Sequence, residues 1–220
     1  MKISCIIPAY NEEKTIYGVT ESIKGSGLFD EIIVINDGSQ DQTPQILSQI
    51  PEIIFVNLEE NVGKGGAVWH GIQKATGDII LMLDADLMGI NKEHLEKILS
   101  PLINHEAEVC IGIIQHKKRA WISFIQVLGS NLSGQQAFFK NLVEDADIKN
   151  TRFGLEITLK NHFKRKKIRV RKVLLPGVSH LIKEQKMGLE EGLKHRGKMY
   201  KEVGKAIGDD LKKKIKSKNT

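Results

Sequence analysis

The stretch Ile80-Leu81-Met82-Leu83-Asp84-Ala85-Asp86 joins an apolar run to two carboxylates that are one residue apart. Such a run is typical of a strand buried in the centre of a parallel sheet, and it is too short to cross a membrane. Alternate residues of an extended chain point the same way, so Asp84 and Asp86 are predicted to share one divalent cation. Open α/β sheets bind ligands at this end of their strands. A strand end followed by a turn or helix cap is the alternative interpretation.

Apolar periodicity extends this strand into a repeating pattern over the first half of the chain. Strands are predicted at residues 3–8, 31–36, 53–57, 78–83 and 108–114, and helices at 11–24 (behind an Asn cap), from 41, at 66–75 and at 92–104. This alternation predicts an α/β fold with a mostly parallel central sheet and helices on both faces.

The alternation stops after Ile114. A helix over 153–163, a strand over 168–175 and a long helix from 187 are predicted beyond it. No linker rich in Pro, Gly or Ser divides the chain. We therefore predict one domain over 1–186, with halves 1–115 and 116–186, followed by a basic amphipathic helix or tail over 187–220.

The composition is that of a soluble globular protein: 40% of residues are hydrophobic and 27% are charged. No apolar run reaches about 18 residues, and the N-terminus leads directly into a strand, so a cytoplasmic location without a signal peptide or transmembrane helix is predicted. Cys5 and Cys110 lie in apolar runs far apart, which favours two core thiols over a disulfide or metal pair.

The net charge of +6 is concentrated at the C-terminus, where residues 194–220 hold ten Lys or Arg against three Asp or Glu, a local +7. Basicity therefore says little about the substrate of the core, and no nucleic-acid partner is predicted. The apolar residues among these lysines recur near helical spacing. One interpretation is peripheral contact with an anionic membrane, at the inner membrane face; the other is a helix that packs on the domain or on a partner.

Four motifs occur in order within about 90 residues: IIPAYNEE at 6–13, INDGS at 35–39, NVGKG at 61–65 and DAD at 84–86. Together they resemble the successive signatures of family 2 glycosyltransferases with the GT-A fold. Residues 133–138, 153–156 and 177–180 are similar to the acceptor side of some small bacterial members, including relatives of glucosyl-3-phosphoglycerate synthases and dolichyl-phosphate sugar synthases. The resemblance implies a nucleotide-sugar-binding half over 1–115 and an acceptor half over 116–186.

The resemblance also implies which residues bind the donor. Backbone groups of Ala9 and Tyr10 meet the base, Glu12 binds ribose hydroxyls, Asp37 binds the nucleobase, and Lys64 with the N–H groups of the following helix faces the diphosphate. The implied donor set is Pro8, Ala9, Tyr10, Glu12, Asp37, Gly38, Lys64, Gly65, Asp84 and Ala85. Asn36 stands where the family usually has an acid. A helix cap at Asn11 and a simple turn at Asp37-Gly38 are the structural alternatives.

The implied cofactor is Mg²⁺ or Mn²⁺ held by Asp84 and Asp86. His180 resembles a distal histidine that completes the metal site in some GT-A enzymes, which would favour Mn²⁺; a surface histidine is the alternative. Catalytic roles are predicted for Asp86 and for Glu156 as a general base, with Asp145 and Asp147 as further candidates. A retaining enzyme needs no such base, so the stereochemistry stays open.

We therefore predict metal-dependent transfer of a sugar from a nucleotide-sugar donor, which we expect to be UDP-linked, to a small phosphorylated or polyprenyl-phosphate acceptor. Residues 117–125, basic and then amphipathic, are interpreted as a flap over phosphate or as a solvated loop entering a helix. A homodimer is compatible with the sequence. The rival functions are a sugar-phosphate nucleotidyltransferase and a non-catalytic scaffold that retains a nucleotide pocket.

Overall fold

Strands and helices alternate through residues 1–114, 133–151 and 154–181, the part of the chain that the computed structural model describes. The strands are β1 (Ile3–Ala9), β2 (Glu31–Asp37), β3 (Ile54–Leu58), β4 (Ile79–Met82), β5 (Leu87–Met88), β6 (Val109–Ile114), β7 (Gln136–Phe139), β8 (Val170–Leu175) and β9 (Ser179–His180). The helices are α1 (Ile16–Ser26), α2 (Thr43–Ser48), α3 (Lys64–Lys74), α4 (Lys92–Ile103) and α5 (Leu155–Arg165), with a 3₁₀ helix at Lys140–Val143. The predicted flap over 117–125 and the tail over 187–220 lie outside these ranges.

The main sheet has the strand order β3-β2-β1-β4-β7-β6-β8. β1 pairs in parallel with β2 and β4, β2 with β3, and β6 with β8. β7, where the sequence predicted no strand, runs antiparallel between β4 and β6. The predicted mostly parallel sheet is confirmed, and the antiparallel β7 follows the point where the alternation stops.

Alternate residues of the central strands enter cores on opposite faces of the sheet. Ile79 and Leu81 of β4 pack on the face that carries α1, α2 and α4, whereas Ile80 and Met82 pack on the face that carries α3 and α5. All four side chains are fully buried. A strand with both faces covered must be apolar throughout, which explains the continuous run that precedes Asp84.

Helix α1 begins at Ile16, five residues after the predicted Asn cap. Asn11 instead has a left-handed backbone conformation (φ 55°), and its backbone N–H donates to Ser39 Oγ at 2.9 Å. Its side-chain oxygen accepts the Gln40 N–H at 2.9 Å. The Asn11 side chain is thus used to bind the loop after β2, so the prediction of a helix cap there was wrong.

Both cysteines are buried and unpaired, as predicted. Burial raises the pKa of the Cys110 thiol to about 12, so this side chain behaves as a small apolar residue. Across the ranges given above, no helix combines the length and the apolar character that a membrane span requires.

Candidate functional site

Asp84 and Asp86 lie directly beyond β4, at the carboxyl edge of the sheet. The chain turns through these residues and resumes an extended conformation as β5. Ala85 between them is 4% exposed, while both aspartates are partly exposed. The structure brings the two carboxylates close together, because one oxygen of each and a ring nitrogen of His180 all lie within 4.8 Å of one another. These three residues are called the Asp–His cluster.

A second, two-stranded sheet brings His180 to the carboxylates. β5 pairs antiparallel with β9, with Leu87 opposite His180, and the Leu181 N–H donates to the Asp86 carbonyl at 3.1 Å. His180 Nδ1 consequently lies 2.8 Å from Asp86 Oδ1. Burial alone would lower the pKa of His180, but the hydrogen bond to Asp86 and the nearby carboxylates raise it above its usual value. The structure thus brings His180 together with the two aspartates, and its role as a metal ligand stays a prediction.

A side chain of α4 makes a hydrogen bond to the loop between β8 and β9, which leads to His180. His94 Nε2 lies 3.0 Å from the carbonyl oxygen of Pro176, and because a carbonyl only accepts, the imidazole donates. On the other side of the loop, a side chain at Gly89 would lie 2.8 Å from the Gly177 carbonyl. Gly89 also has a left-handed backbone (φ 77°), so both space and conformation favour glycine at this position.

Lys64, the first residue of α3, joins the Asp–His cluster to a third carboxylate. Its ammonium donates to Asp84 Oδ1 at 2.6 Å and to Glu156 Oε1 at 2.5 Å. Burial by itself would lower the pKa of Lys64, but the two carboxylates outweigh it and raise the pKa above its usual value. The side chain therefore carries a fixed positive charge at the edge of the site.

Both oxygens of Asp84 have hydrogen-bond donors. Lys64 binds Oδ1, and Gln135 Nε2 donates to Oδ2 at 2.8 Å. Burial and the Asp86 charge raise the pKa of Asp84, whereas Lys64 and His180 lower it, and the net pKa is below its usual value. The contact from Gln135 was not predicted. In the sequence, Gln135 is marked only by the similarity of residues 133–138 to the acceptor side of some family members.

Glu156 lies in the first turn of α5, and its carboxylate contacts Lys64, so the structure places this predicted residue beside the Asp–His cluster. Asp145 lies elsewhere: its side chain binds Lys166 Nζ at 2.5 Å, just past the other end of α5. An 11-residue helix is about 16 Å long, so Asp145 is not brought to the Asp–His cluster. Asp147 is exposed in the same turn region. Of these candidates, the structure brings Glu156 to Lys64, and the roles of Asp145 and Asp147 stay predictions.

Asp37, at the end of β2, binds the loop that precedes α3. Its Oδ1 accepts the Val62 N–H at 2.7 Å and its Oδ2 accepts the Gly63 N–H at 3.0 Å. Gly38 (φ 66°) lies so close to this loop that a side chain would approach the Asn61 nitrogen to 2.7 Å. Asp37 and Gly38 thus hold the Lys64-bearing loop at the end of the sheet.

Gly65, which follows Lys64, packs closely against Thr151. α3 begins at Lys64 instead of Gly66, and the Gly65 N–H donates to the Thr151 carbonyl at 3.0 Å. A side chain at Gly65 would overlap Thr151. Two of the N–H groups predicted to face the diphosphate, those of Gly63 and Gly65, are thus already accepted by Asp37 and Thr151. The Lys64 ammonium supplies the positive charge at the start of α3.

The segment that follows β1 is bound to the start of α2. The Glu12 N–H donates to Thr43 Oγ1 at 2.8 Å, and the Glu12 carboxylate accepts from Thr15 Oγ1 at 3.0 Å. Ala9 is buried, while Tyr10 is 36% exposed. The predicted donor-binding residues of β1 and β2 thus lie side by side at the same edge of the sheet as the Asp–His cluster, because β1 pairs with both β2 and β4.

Comparisons with known proteins agree with this arrangement. A glucosyl-3-phosphoglycerate synthase from Mycolicibacterium smegmatis is 35% identical over 111 residues, which cover 46% of this chain and 36% of the relative. A UDP-N-acetylglucosamine–dolichyl-phosphate N-acetylglucosaminyltransferase from Methanococcus voltae is 33% identical over 129 residues, covering 50% of this chain and 51% of the relative. The chain thus spans about a third to a half of the length of these curated relatives.

Solved structures share the fold. Glucosyl-3-phosphoglycerate synthase from Mycobacterium tuberculosis, in complex with Mn²⁺, UDP-glucose and glycerol 3-phosphate, matches with a TM-score of 0.75 and 25% identity, over 94% of this chain and 78% of that chain. Its complex with Mg²⁺ and UDP matches with a TM-score of 0.66 and 25% identity, over 82% and 71%. The predicted GT-A fold is confirmed. A sequence profile described as "Glycosyl transferase family 2" matches residues 4–173, and since it spans 170 of the 220 residues, the chain belongs to this family.

Proposed function

We propose that this protein transfers a sugar from a UDP-linked donor to a phosphorylated acceptor, with Mn²⁺ or Mg²⁺ as the cofactor. The observation that carries the proposal is the Asp–His cluster, whose three ligand atoms lie within 4.8 Å of one another at the carboxyl edge of the sheet. Lys64 supplies a fixed positive charge beside them. Two carboxylates, an imidazole and an ammonium at one strand end form a site suited to a cation and a diphosphate.

The donor set fits the proposed cofactor. Asp84 and Asp86 offer hard oxygen ligands, which suit Mg²⁺ and Mn²⁺, and the His180 nitrogen adds a ligand type that favours Mn²⁺ over Mg²⁺. A cation bound there supplies Lewis-acid stabilisation of the charge on a diphosphate leaving group. The structures of the Mycobacterium tuberculosis enzyme with Mn²⁺ and with Mg²⁺ support this choice.

Lys64 binds the diphosphate of the donor by charge-assisted hydrogen bonds. Its ammonium has three donors, of which Asp84 and Glu156 each take one. Because both carboxylates hold the ammonium at the mouth of the helix, little side-chain freedom is lost when an anion binds. Lys64 thus acts as a preorganised cation beside the Asp–His cluster.

The base and ribose are bound by the ends of β1 and β2. Pro8, Ala9 and Tyr10 offer backbone groups and an aromatic ring to the base, and Glu12 accepts from ribose hydroxyls. Asp37, whose oxygens accept the Val62 and Gly63 N–H groups, is the proposed contact of the nucleobase at the end of β2. Gly38, Gly65 and Ala85 keep the backbone close to the donor.

Glu156 and Asp86 are the proposed catalytic residues. If the sugar is transferred with inversion, Glu156 accepts the proton of the acceptor hydroxyl. If it is transferred with retention, Glu156 orients Lys64 and the acceptor instead. The anomeric configuration of the product, read by NMR, distinguishes these two roles: an inverted product requires a base, and a retained product excludes Glu156 as that base in a single displacement.

The acceptor carries a phosphate. The relatives act, by their names, on 3-phosphoglycerate or on dolichyl phosphate, so the two acceptor classes are a small phosphorylated acid and a polyprenyl phosphate. Incubating the protein with UDP-glucose, Mn²⁺ and either acceptor, and measuring UDP release, decides between them. Release that is equal with and without each acceptor would contradict transfer to both.

Thermal unfolding tests the proposal as a whole, because a ligand that binds only the folded state raises the melting temperature. We expect UDP-glucose to stabilise the protein only when Mn²⁺ or Mg²⁺ is present. Asp86→Ala removes a ligand atom of the cluster and is expected to abolish the shift, whereas Glu96→Ala, at an exposed glutamate of α4, leaves it unchanged. A shift that persists in EDTA or in Asp86→Ala would contradict the proposed site.

A further inference from the structure

We propose that Gln135 is a positioning residue, which sets the orientation of the Asp84 carboxylate for cation binding. Gln135 directly precedes β7, the antiparallel strand that lies between β4 and β6. Its side-chain amide is 1% exposed and donates to Asp84 Oδ2 at 2.8 Å. An ionised carboxylate only accepts hydrogen bonds, so the nitrogen of the amide must face Asp84.

Gln135 is itself held on both sides. Its Oε1 lies 2.5 Å from Ser133 Oγ, and its backbone carbonyl accepts the Gly112 N–H of β6 at 2.8 Å. A side chain that is buried and bonded at its oxygen has little rotational freedom. The amide nitrogen therefore approaches Asp84 from a direction that β6 and β7 determine.

The backbone of Gly134 packs against the Asp84 carboxylate. A Cβ atom at this position would overlap the Asp84 carboxylate, so glycine is the residue that allows the chain to pass so close. Lys64 holds the other oxygen of Asp84. With Lys64 at Oδ1, Gln135 at Oδ2 and Gly134 against the group, Asp84 has one orientation. That orientation sets its distance from Asp86 and His180.

The two hydrogen bonds leave Asp84 with lone pairs for a cation, since each oxygen can accept two. Partners that orient ligand side chains are known to change metal affinity by about 10- to 100-fold when they are removed. The inference rests on the proposed function in one respect, namely that the Asp–His cluster binds a cation. Its test therefore measures cation binding, without donor, acceptor or turnover.

Gln136 provides a matched control. It is the next residue, it is 2% exposed, and its side-chain amide donates to the Ser133 carbonyl at 2.6 Å. Replacing either glutamine by Met, a side chain of similar volume, removes one buried amide from the same segment of chain. Only the substitution at Gln135 removes a hydrogen bond to Asp84.

The experiment titrates Mn²⁺ into the wild-type protein, Gln135→Met and Gln136→Met, and measures free Mn²⁺ by EPR, with circular dichroism to confirm folding. We expect Gln135→Met to bind Mn²⁺ about 10-fold more weakly, and Gln136→Met to stay within about 2-fold of wild type, at similar losses of melting temperature. Should Gln135→Met not fold, Gln135→Asn, which withdraws the amide by one methylene, is expected to show the same loss of affinity.

Three outcomes would overturn the proposed role of Gln135. Unchanged Mn²⁺ affinity in Gln135→Met, with affinity lost in Asp86→Ala, overturns the role of Gln135 and leaves the proposed function intact. Equal weakening by both glutamine substitutions also overturns it, because the effect would then come from the strand as a whole. A wild-type protein that binds neither Mn²⁺ nor UDP contradicts the proposed function together with this inference.

Discussion

The ammonium of Lys64 lies 2.5 Å from Oε1 of Glu156, although 92 positions separate the two residues in the chain. Lys64 begins α3 in the half with the donor-binding motifs, and Glu156 lies in the first turn of α5 in the half similar to acceptor sites. The ion pair therefore joins the two halves where donor and acceptor are proposed to meet. A change at either residue should affect both stability and transfer.

Lys64→Met tests this pair through stability. It leaves the carboxylates of Asp84 and Glu156 without their shared cation, and breaking a buried pair costs about 3–5 kcal/mol. Because the Lys64 side chain is 23% exposed, we expect a smaller loss, about 2 kcal/mol of unfolding free energy in urea at pH 7. Lys74→Met, at an exposed lysine of the same helix, should change it by less than about 0.5 kcal/mol.

The double variant Lys64→Met/Glu156→Gln is the accompanying test. Neutralising Glu156 removes one of the two unpaired carboxylates, so the double variant should be more stable than Lys64→Met alone. Losses that simply add for the two substitutions would show that Lys64 and Glu156 do not interact.

Gly134→Ala adds a single methyl group beside Asp84 and should weaken cation binding. The added Cβ would overlap the Asp84 carboxylate and force it to move, so we expect at least about a 10-fold loss of Mn²⁺ affinity. The matched change is Gly18→Ala in α1, where a Cβ meets no atom within 4 Å. It should raise the unfolding free energy by about 0.5–1 kcal/mol and leave Mn²⁺ affinity unchanged. Normal Mn²⁺ binding by Gly134→Ala would contradict the close approach to Asp84.

His180→Ala should change the preference between metals. Removing the imidazole leaves only oxygen ligands in the cluster, and these suit Mg²⁺ nearly as well as Mn²⁺. We expect Mn²⁺ affinity to fall about 10-fold and Mg²⁺ affinity to fall less, measured by the metal dependence of UDP binding. His70→Ala, at a ring that packs on Trp69, is the control. An equal fall for both metals would show that His180 is not a ligand.

Glu31 should make stability depend on pH at acidic values. Burial raises the pKa of Glu31, but hydrogen bonds from Ser4 and from the backbone of Thr76 and Gly77 outweigh it, so the folded-state pKa is lowered. Ser4 Oγ donates to Glu31 Oε1 at 2.5 Å and the Thr76 N–H at 2.6 Å. A lowered pKa adds stability above the unfolded-state value of about 4.5, and this stability is lost as the pH falls through the folded-state pKa.

Glu31→Gln measures this contribution. The carboxylate is partly exposed, so we expect Glu31→Gln to lower the unfolding free energy by only about 1 kcal/mol at pH 7. The difference from wild type should shrink as the pH falls below about 4.5. Glu59→Gln, at an exposed glutamate, should show no such trend. A difference that is constant from pH 7 to pH 3 would contradict the role of the Glu31 charge.

Much of the fold could be predicted because the central strands are buried on both faces. The run before Asp84 is apolar at every position, and that pattern identifies a covered strand without any tertiary information. The strand β7 could not be predicted as antiparallel, because four residues beginning with Gln136 carry no direction of their own. The start of α1 was misplaced because Asn11, a good capping residue, is used to bind the loop after β2.

The sequence by itself determined that an α/β sheet ends in Asp84 and Asp86, since a buried strand followed by two alternating acids leaves few other arrangements for these carboxylates. Only the tertiary structure decided which partners reach them. The pairing of β5 with β9 brings His180 to the aspartates, and the antiparallel strand β7 brings Gln135 to them. Both residues lie about 50 to 90 positions from the aspartates in the chain. Local periodicity reports which side of an element is buried, whereas contacts between distant elements depend on strand order and direction.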